Sequence, residues 1–176
     1  HLAVSLENAR LYQQVARDEA RLERELQAAR RIQGGLLPQL PGEDFGIEIA
    51  ARYASARELG GDLYDFIRYG SHHLAVALGD VSGKGTAAAL YGAVGFGILR
   101  SLAQQKLQPA AMLRELNRLL SERRIEERFM TLCFATWQAG RRRLRVANAG
   151  QTQPLLSRNA RCEKLRLEGF PLGMME

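Results

Sequence analysis

The sequence predicts an α+β layered domain carried behind one long helix. Three observations lead there. Residues 1 to 37 contain no Pro, and no Gly before Gly34-Gly35, which is the pattern of a single uninterrupted helix. Beyond them, short alternating apolar runs come first, two helical patterns follow, and alternating runs return. Grouped strands around grouped helices indicate α+β layers, not alternating βαβ units. The chain is also apolar enough to build a core: of its 176 residues, 46% are hydrophobic and 25% charged.

The elements follow in order. In the N-terminal helix Val15, Leu22, Ala29 and Leu36 recur every seven residues. The interleaved line holds Val4, Leu11, Asp18, Glu25 and Ile32, so the apolar seam has a polar break at its middle. Two uses fit this seam: a parallel dimer helix, or a linker packed on its own domain. Gly34-Gly35, Pro38, Pro41 and Gly42 are expected to end the helix, dividing the chain into residues 1–37 and a second unit, 38–176. In that unit Ile47, Ile49 and Ala51 alternate with Glu48, Ala50 and Arg52 and predict a strand. Leu63 to Tyr69 and Leu74 to Leu78 predict two more, joined by a turn near Gly70-Ser71. Thr86 to Gln105 reads as a helix whose glycines, Gly92, Gly95 and Gly97, let it lie close against a sheet. Pro109 opens a second helix with Met112, Leu113, Leu116, Leu119 and Leu120 on one face. Met130 to Trp137, Leu144 to Ala147, Pro154 to Leu156 and Cys162 to Leu167 complete the predicted strands.

Composition excludes several classes. Cys133 and Cys162 form no disulfide framework and no zinc spacing, and no basic-then-apolar leader is present, so a reducing, cytoplasmic setting is expected. The longest apolar run, Ala87 to Leu99, is too short to span a bilayer, and no membrane association is expected. Net charge is +6, with 22 Arg and three Lys. The Arg residues are spread along a helix and across hairpins without interleaved aromatics. They read as a solvated basic surface suited to an acidic protein partner, and not as a nucleic-acid face. A nucleic-acid binder would instead show steeply salt-dependent binding.

The acidic residues are distributed unevenly. All five Asp (Asp18, Asp44, Asp62, Asp65 and Asp80) lie in the first 80 residues. Glu58-Leu59-Gly60-Gly61-Asp62-Leu63-Tyr64-Asp65 sets two carboxylates three apart at the start of a predicted strand. Gly79-Asp80-Val81-Ser82-Gly83-Lys84-Gly85 sets a third at the end of the next. If the two strands pair through Gly70-Ser71, Asp62 and Asp80 meet at one end of the sheet. Hard divalent cations take such oxygens, and two adjacent cations can activate water toward phosphate. The spacing equally allows ordinary turn chemistry, because Asp beside Gly is common in loops. A nucleotide-binding loop does not fit. Gly79 to Lys84 is one residue short between its glycines, and Gly85 occupies the place of the required Ser or Thr. His72 and His73 read as hairpin residues, Met112, Met130 and Trp137 as core, and Cys133 as an inert buried thiol.

Gly60-Gly61-Asp62-Leu63-Tyr64-Asp65, Gly79-Asp80-Val81-Ser82-Gly83-Lys84-Gly85, Asn148-Ala149-Gly150 and Pro171-Leu172-Gly173, in that order, resemble the SpoIIE/RsbU branch of the metal-dependent PPM Ser/Thr protein phosphatases. Arg30-Arg31-Ile32-Gln33 with Leu36-Leu37-Pro38 resembles the usual lead-in to that domain. Leu6 to Tyr12 resembles the last helix of a GAF sensor running into its linker. The resemblance implies a layered β-sandwich flanked by helices, with two manganese or magnesium ions at one end. By position, Asp62 would be a metal ligand, Asp80 would bridge the ions, and the Val81 carbonyl would ligate one. Asp65 would be a supporting carboxylate. A metal-activated water, and no protein nucleophile, would attack the phosphoserine or phosphothreonine. The implied partner is a phosphorylated STAS-type anti-anti-sigma protein. The seam of the N-terminal helix, on its own pattern, leads us to expect a homodimer.

This sequence departs from the family pattern in two places, with Gln151 where His is usual and Leu63 where an aromatic is common. The family's remaining acidic ligands would follow Pro171-Leu172-Gly173. The chain is therefore expected to be a piece of a longer protein, cut short at its C-terminus and weak or inactive alone. A non-catalytic docking module of the same fold is the alternative function.

Overall fold

In the computed structural model, which describes residues 2–55, 59–123, 125 and 128–175, Leu2–Leu36 form one 35-residue helix, α1. His1, Glu58 and Glu176, which bound segments read from the sequence, lie outside the described residues. The double glycine does not break α1. The helix runs through Gly34 and Gly35 and stops before Pro38, which disfavours helical backbone at Leu37. Side chains 3 to 25 are all exposed, so α1 stands clear of the domain and meets it only near its end.

Four strands form an antiparallel sheet in sequence order: β1 (Leu63–Gly70), β2 (His73–Val81), β3 (Met130–Gln138) and β4 (Arg143–Ala149). Two helices, α2 (Gly85–Ala103) and α3 (Pro109–Glu122), cover one face. The helix α2 packs on β1 and β2, and α3 on β3 and β4. The core lies between these layers, where Leu99, Met112, Leu116, Met130, Leu132 and Phe134 are fully buried. Each such side chain contributes about 1.5–3 kcal/mol by leaving water. Two of the three glycines predicted to let α2 lie close, Gly92 and Gly95, set its distance from the sheet, whereas Gly97 faces away from it with nothing within 4 Å of its Cβ position. A Cβ on Gly92 would stand 2.5 Å from Leu63 Cδ1, and one on Gly95 2.4 Å from Met130 Cε. At 19 residues α2 exceeds the 13-residue apolar run and is long and apolar enough to cross a membrane. Its buried side, with Ala88, Tyr91, Gly92, Gly95 and Leu99, makes it the core helix of this domain.

The other face of the sheet is partly open, with Leu78 and Leu144 about half exposed. A short helical turn, Glu43–Phe45, packs against its far end. Trp137 Nε1 donates to the Phe45 carbonyl at 2.8 Å, and the Arg68 guanidinium sits 4.6 Å over the Phe45 ring. Trp137 is thus half-buried at a contact, not in the core. The expected strand at Ile47–Arg52 does not form. Ile47 and Ile49 are turned inward and Glu48, Ala50 and Arg52 outward, but among the described residues no neighbouring strand pairs with them. An extended segment alternates its faces whether or not it is hydrogen-bonded, so period two alone cannot tell the cases apart.

The hairpin β5 (Leu155–Arg158) and β6 (Arg161–Lys164) forms a separate two-stranded sheet. The Pro171-Leu172-Gly173 segment returns to the start of β3, where Met130 and Leu172 exchange two backbone hydrogen bonds of 3.0 and 2.7 Å. It also packs on the Asn148-Ala149-Gly150 turn, since a Cβ on Gly150 would stand 2.9 Å from Pro171 Cγ, and just before it a Cβ on Gly169 would stand 2.1 Å from the Asn148 carbonyl oxygen. Asn148 is buried. Its side chain donates to the Gln151 carbonyl and accepts from the Gln151 amide, closing the turn.

Candidate metal centre

The β1–β2 pairing decides the geometry. Leu63 lies opposite Gly79 and Tyr64 opposite Leu78, so the same register brings Asp62 opposite Asp80 at the end of the sheet. Directly opposed residues share a face. The two carboxylates therefore meet at one end of the sheet, as the turn at Gly70-Ser71 predicts, and belong to the face away from α2 and α3. Asp80 feels this proximity. Partial burial pushes its carboxyl up from the ordinary range, the Asp62 charge pushes the same way, and a hydrogen bond from the Val81 amide opposes both. Two like charges held together disfavour ionisation of both unless a cation joins them.

The glycines make this packing possible. The Val81 amide donates to the Gly61 carbonyl at 3.3 Å. A Cβ on Gly61 would stand 2.8 Å from the Val81 oxygen and 3.2 Å from Asp80 Oδ1, so only a residue without a side chain leaves that cradle open. The following loop is braced from β3. Ser82 N donates to the Phe129 carbonyl at 2.9 Å, Phe129 N to Ser82 Oγ at 3.0 Å, and Arg128 Nη1 to the Ser82 carbonyl at 2.8 Å. Gly83 and Gly85 take φ of +90° and +74°, the left-handed turn that carries β2 into α2.

Asp65 belongs elsewhere. Its position along β1 puts it on the helix-facing side, where it is 2% exposed. It accepts from Arg100 Nε and Nη2 at 2.7 Å each and from the Phe66 amide at 2.8 Å. The expected supporting carboxylate is therefore the ion-pair partner of α2, because an odd offset along a strand reverses the face. His72 is exposed in the hairpin turn and His73 pairs edge-on with Tyr69, both far along the strands from Asp62 and Asp80.

The donors at this end are all oxygen: two carboxylates, with the Gly61 and Val81 carbonyls beside them. That set suits one hard divalent cation whose remaining positions are filled by water. Among the described residues no group of three or more His, Cys, Asp or Glu side chains could hold a metal, so donors for a full pair of ions are not assembled there. A groove of about 1160 Å³ between α3 and residues 166–172 is lined by Leu113, Asn117, Asn148 and Phe170, among others, and does not include Asp62 or Asp80.

Gly61 supplies the cradle, as the glycines beside Asp62 predict. Sequence reasoning missed one contributor. Gln33, the last residue of Arg30-Arg31-Ile32-Gln33, is buried and reaches across to Gly60: its Nε2 donates to the Gly60 carbonyl at 2.7 Å, and the Gly60 amide donates to its Oε1 at 3.2 Å.

An antiparallel sheet backed by two helices, with an Asp pair on a glycine-bounded end, has the architecture of the PP2C-type phosphatase domains. The SiaA-PP2C domain of Pseudomonas aeruginosa superimposes with a TM-score of 0.71 over 89% of this chain and 64% of that one, at 17% identity. The Stage II sporulation protein E (SpoIIE) family profile matches residues 70–176, and the chain belongs to the SpoIIE family. It is 27% identical to phosphoserine phosphatase RsbU of Bacillus subtilis (strain 168) over 126 residues, 72% of this chain. To phosphoserine phosphatase RsbP of the same organism it is 27% identical over 158 residues, 87% of this chain. It spans 37% and 39% of those two relatives' lengths.

Proposed function

We propose that this chain is the phosphatase portion of a cytoplasmic bacterial signalling regulator that hydrolyses phosphoserine or phosphothreonine on a STAS-type anti-anti-sigma partner. The observation that carries the reading is the opposition of Asp62 and Asp80 across the β1–β2 register in a chain of the SpoIIE family. Asp62 and Asp80, with the Val81 carbonyl, would hold the divalent ion, manganese or magnesium. When bound, that ion supplies an acidified water for attack on phosphorus and charge to stabilise the transition state. The protein's own part is to fix the two carboxylates, keep the Gly61 cradle clear and present the braced Ser82–Gly85 loop. Two copies would pair through α1, whose Val15, Leu22 and Leu36 are each more than half exposed.

The test is phosphate release from a phosphorylated STAS-domain protein by the full-length protein and by the 176-residue chain, with and without manganese. The full-length protein is expected to turn over only with the ion, and the short chain to be far weaker. Equal turnover by both would overturn the assignment of further ligands outside this chain. Binding of the phosphoprotein by metal-loaded full-length protein without hydrolysis would establish the docking module instead.

A further inference from the structure

The strand β4 is an edge of the four-stranded sheet: β3 pairs with one side of it, and among the described residues no strand pairs with the other. An unpaired edge carries a row of backbone N–H and C=O groups that a second chain can complete. Arg143, Leu144 and Arg145 are exposed along it, whereas its end at Asn148 is met by Leu167 and Gly169. The register sets Arg143 against Gln138, Arg145 against Thr136 and Ala147 against Phe134. Phe134 is buried in the core beneath the helices, so Arg143, Arg145 and Ala147 share the helix side of the sheet. Arg145 donates to Gln108 Oε1 at the start of α3. Among the described residues no carboxylate lies within ion-pair distance of Arg141, Arg142, Arg143 or Arg145. Lys106 adds to this positive corner: burial lowers the His73 pKa first, and the charges of Lys106 and Arg145 lower it further. Toward its other end β4 walls the groove of about 1160 Å³ beside α3, where Leu113, Ala147, Leu167 and Phe170 make the lining apolar. Of the charged residues there, Arg118 and Glu122 pair with each other, which leaves Arg114 and Arg166 against one carboxylate, Glu168.

We propose that β4 takes an extended acidic segment of a partner protein as a fifth strand of the sheet. Period two then fixes the segment's side chains. On the helix side its carboxylates lie opposite Arg143 and Arg145, and its apolar residues lie opposite Ala147 and enter the groove. Only a polypeptide supplies the ladder of main-chain hydrogen bonds; a nucleic acid or a lipid surface would answer the arginines alone. A second copy of this chain is opposed by its own charge, since two such edges would set Arg against Arg. Neither Asp62 nor Asp80 lines the groove, so the proposal stands apart from metal binding and from the function proposed above.

The probe is a short labelled peptide in which Glu alternates with Thr in one half and Leu alternates with Thr in the other. Its controls are the same residues in scrambled order and two versions N-methylated at alternate amides, one in each phase. Fluorescence anisotropy with the 176-residue chain should show the alternating peptide binding on the order of tenfold more tightly than the scrambled one. N-methylation in one phase should abolish binding, and in the other phase spare it, because only one edge of the added strand faces β4. Arg143→Glu combined with Arg145→Glu should weaken binding on the order of tenfold. Phe170→Ala, at an exposed side chain of the groove, should weaken it about threefold. Hydrogen exchange in the complex should slow within Arg143–Ala147 and stay unchanged at Val76 in mid-sheet. No binding, equal binding of the scrambled peptide, or equal binding of both N-methylated forms would overturn the proposal. So would tighter uptake by phosphatidylserine vesicles or by a single-stranded oligonucleotide. Binding by the 176-residue chain but not by the full-length protein would overturn it as well, since the protein's own residues would then cover the edge.

Discussion

Arg100 grips Asp65 through two 2.7 Å hydrogen bonds on the side of the sheet opposite Asp62 and Asp80. The carboxylate is 2% exposed and the guanidinium 57%. The pair fastens α2 to β1, and α2 begins four residues beyond Val81, so both ends of the Ser82–Lys84 loop are anchored to the same two strands. Removing Arg100 takes two of the hydrogen bonds and the counter-charge from the buried Asp65 carboxylate and leaves it the Phe66 amide. Arg100→Ala should destabilise the chain by about 2 kcal/mol, the upper range being tempered by the solvent around the guanidinium. Urea unfolding measures it, and a double-mutant cycle with Asp65→Asn should recover a coupling above about 1 kcal/mol.

Replacing Asp80 by Asn removes the charge shared with Asp62. In the full-length protein phosphate release should fall on the order of 10²-fold or more, with the circular dichroism spectrum unchanged. His72→Ala should leave turnover within about twofold, since His72 sits in the exposed hairpin turn. A dead His72→Ala beside an active Asp80→Asn would refute the site.

Two glycines should respond in opposite directions. A Cβ on Gly169 would meet the Asn148 carbonyl oxygen at 2.1 Å, a backbone atom that cannot swing aside. Gly169→Ala should cost about 1–3 kcal/mol. Gly97 lies inside α2 with nothing within 4 Å of its Cβ position. Gly97→Ala should stabilise by about 0.5–1 kcal/mol through helix propensity. Thermal denaturation of both variants checks the pair.

The two thiols should separate by reactivity. Cys162 is exposed, whereas Cys133 is partly buried on β3 and burial raises its pKa. A raised pKa means less thiolate at a given pH, so Cys133 labelling should lag and climb only as the pH rises past the ordinary thiol range. With a thiol reagent at pH 8, Cys162 should react on the order of tenfold faster. Peptide mass analysis of the labelled protein distinguishes them.

The dimer proposal has its own test on α1. Asp18 is paired with Arg21 on the exposed helix surface, and with Glu25 it interrupts the apolar seam. Glu25→Leu should tighten association, and removal of residues 1 to 28 should leave a monomer. Sedimentation at tens of micromolar measures both. A monomer with α1 intact would reduce the helix to a linker.

Much of this was legible from local pattern. The 3.6-residue and period-2 repeats located α1, α2, α3 and the paired strands, because backbone periodicity depends only on near neighbours. The spacing of Asp62 and Asp80 about a Gly70-Ser71 turn already implied their meeting, since an antiparallel hairpin leaves one free choice, its register. The tertiary structure decided what depends on which surfaces meet. Ile47–Arg52 alternates like a strand yet has no partner among the described residues. Asp65 resembles its neighbour Asp62 in sequence but turns to the helix side and binds Arg100. Gln33 reads as one more polar helix residue until the fold brings Gly60 to it, 27 positions along the chain. Contacts of that range arise from packing, which no window of sequence contains.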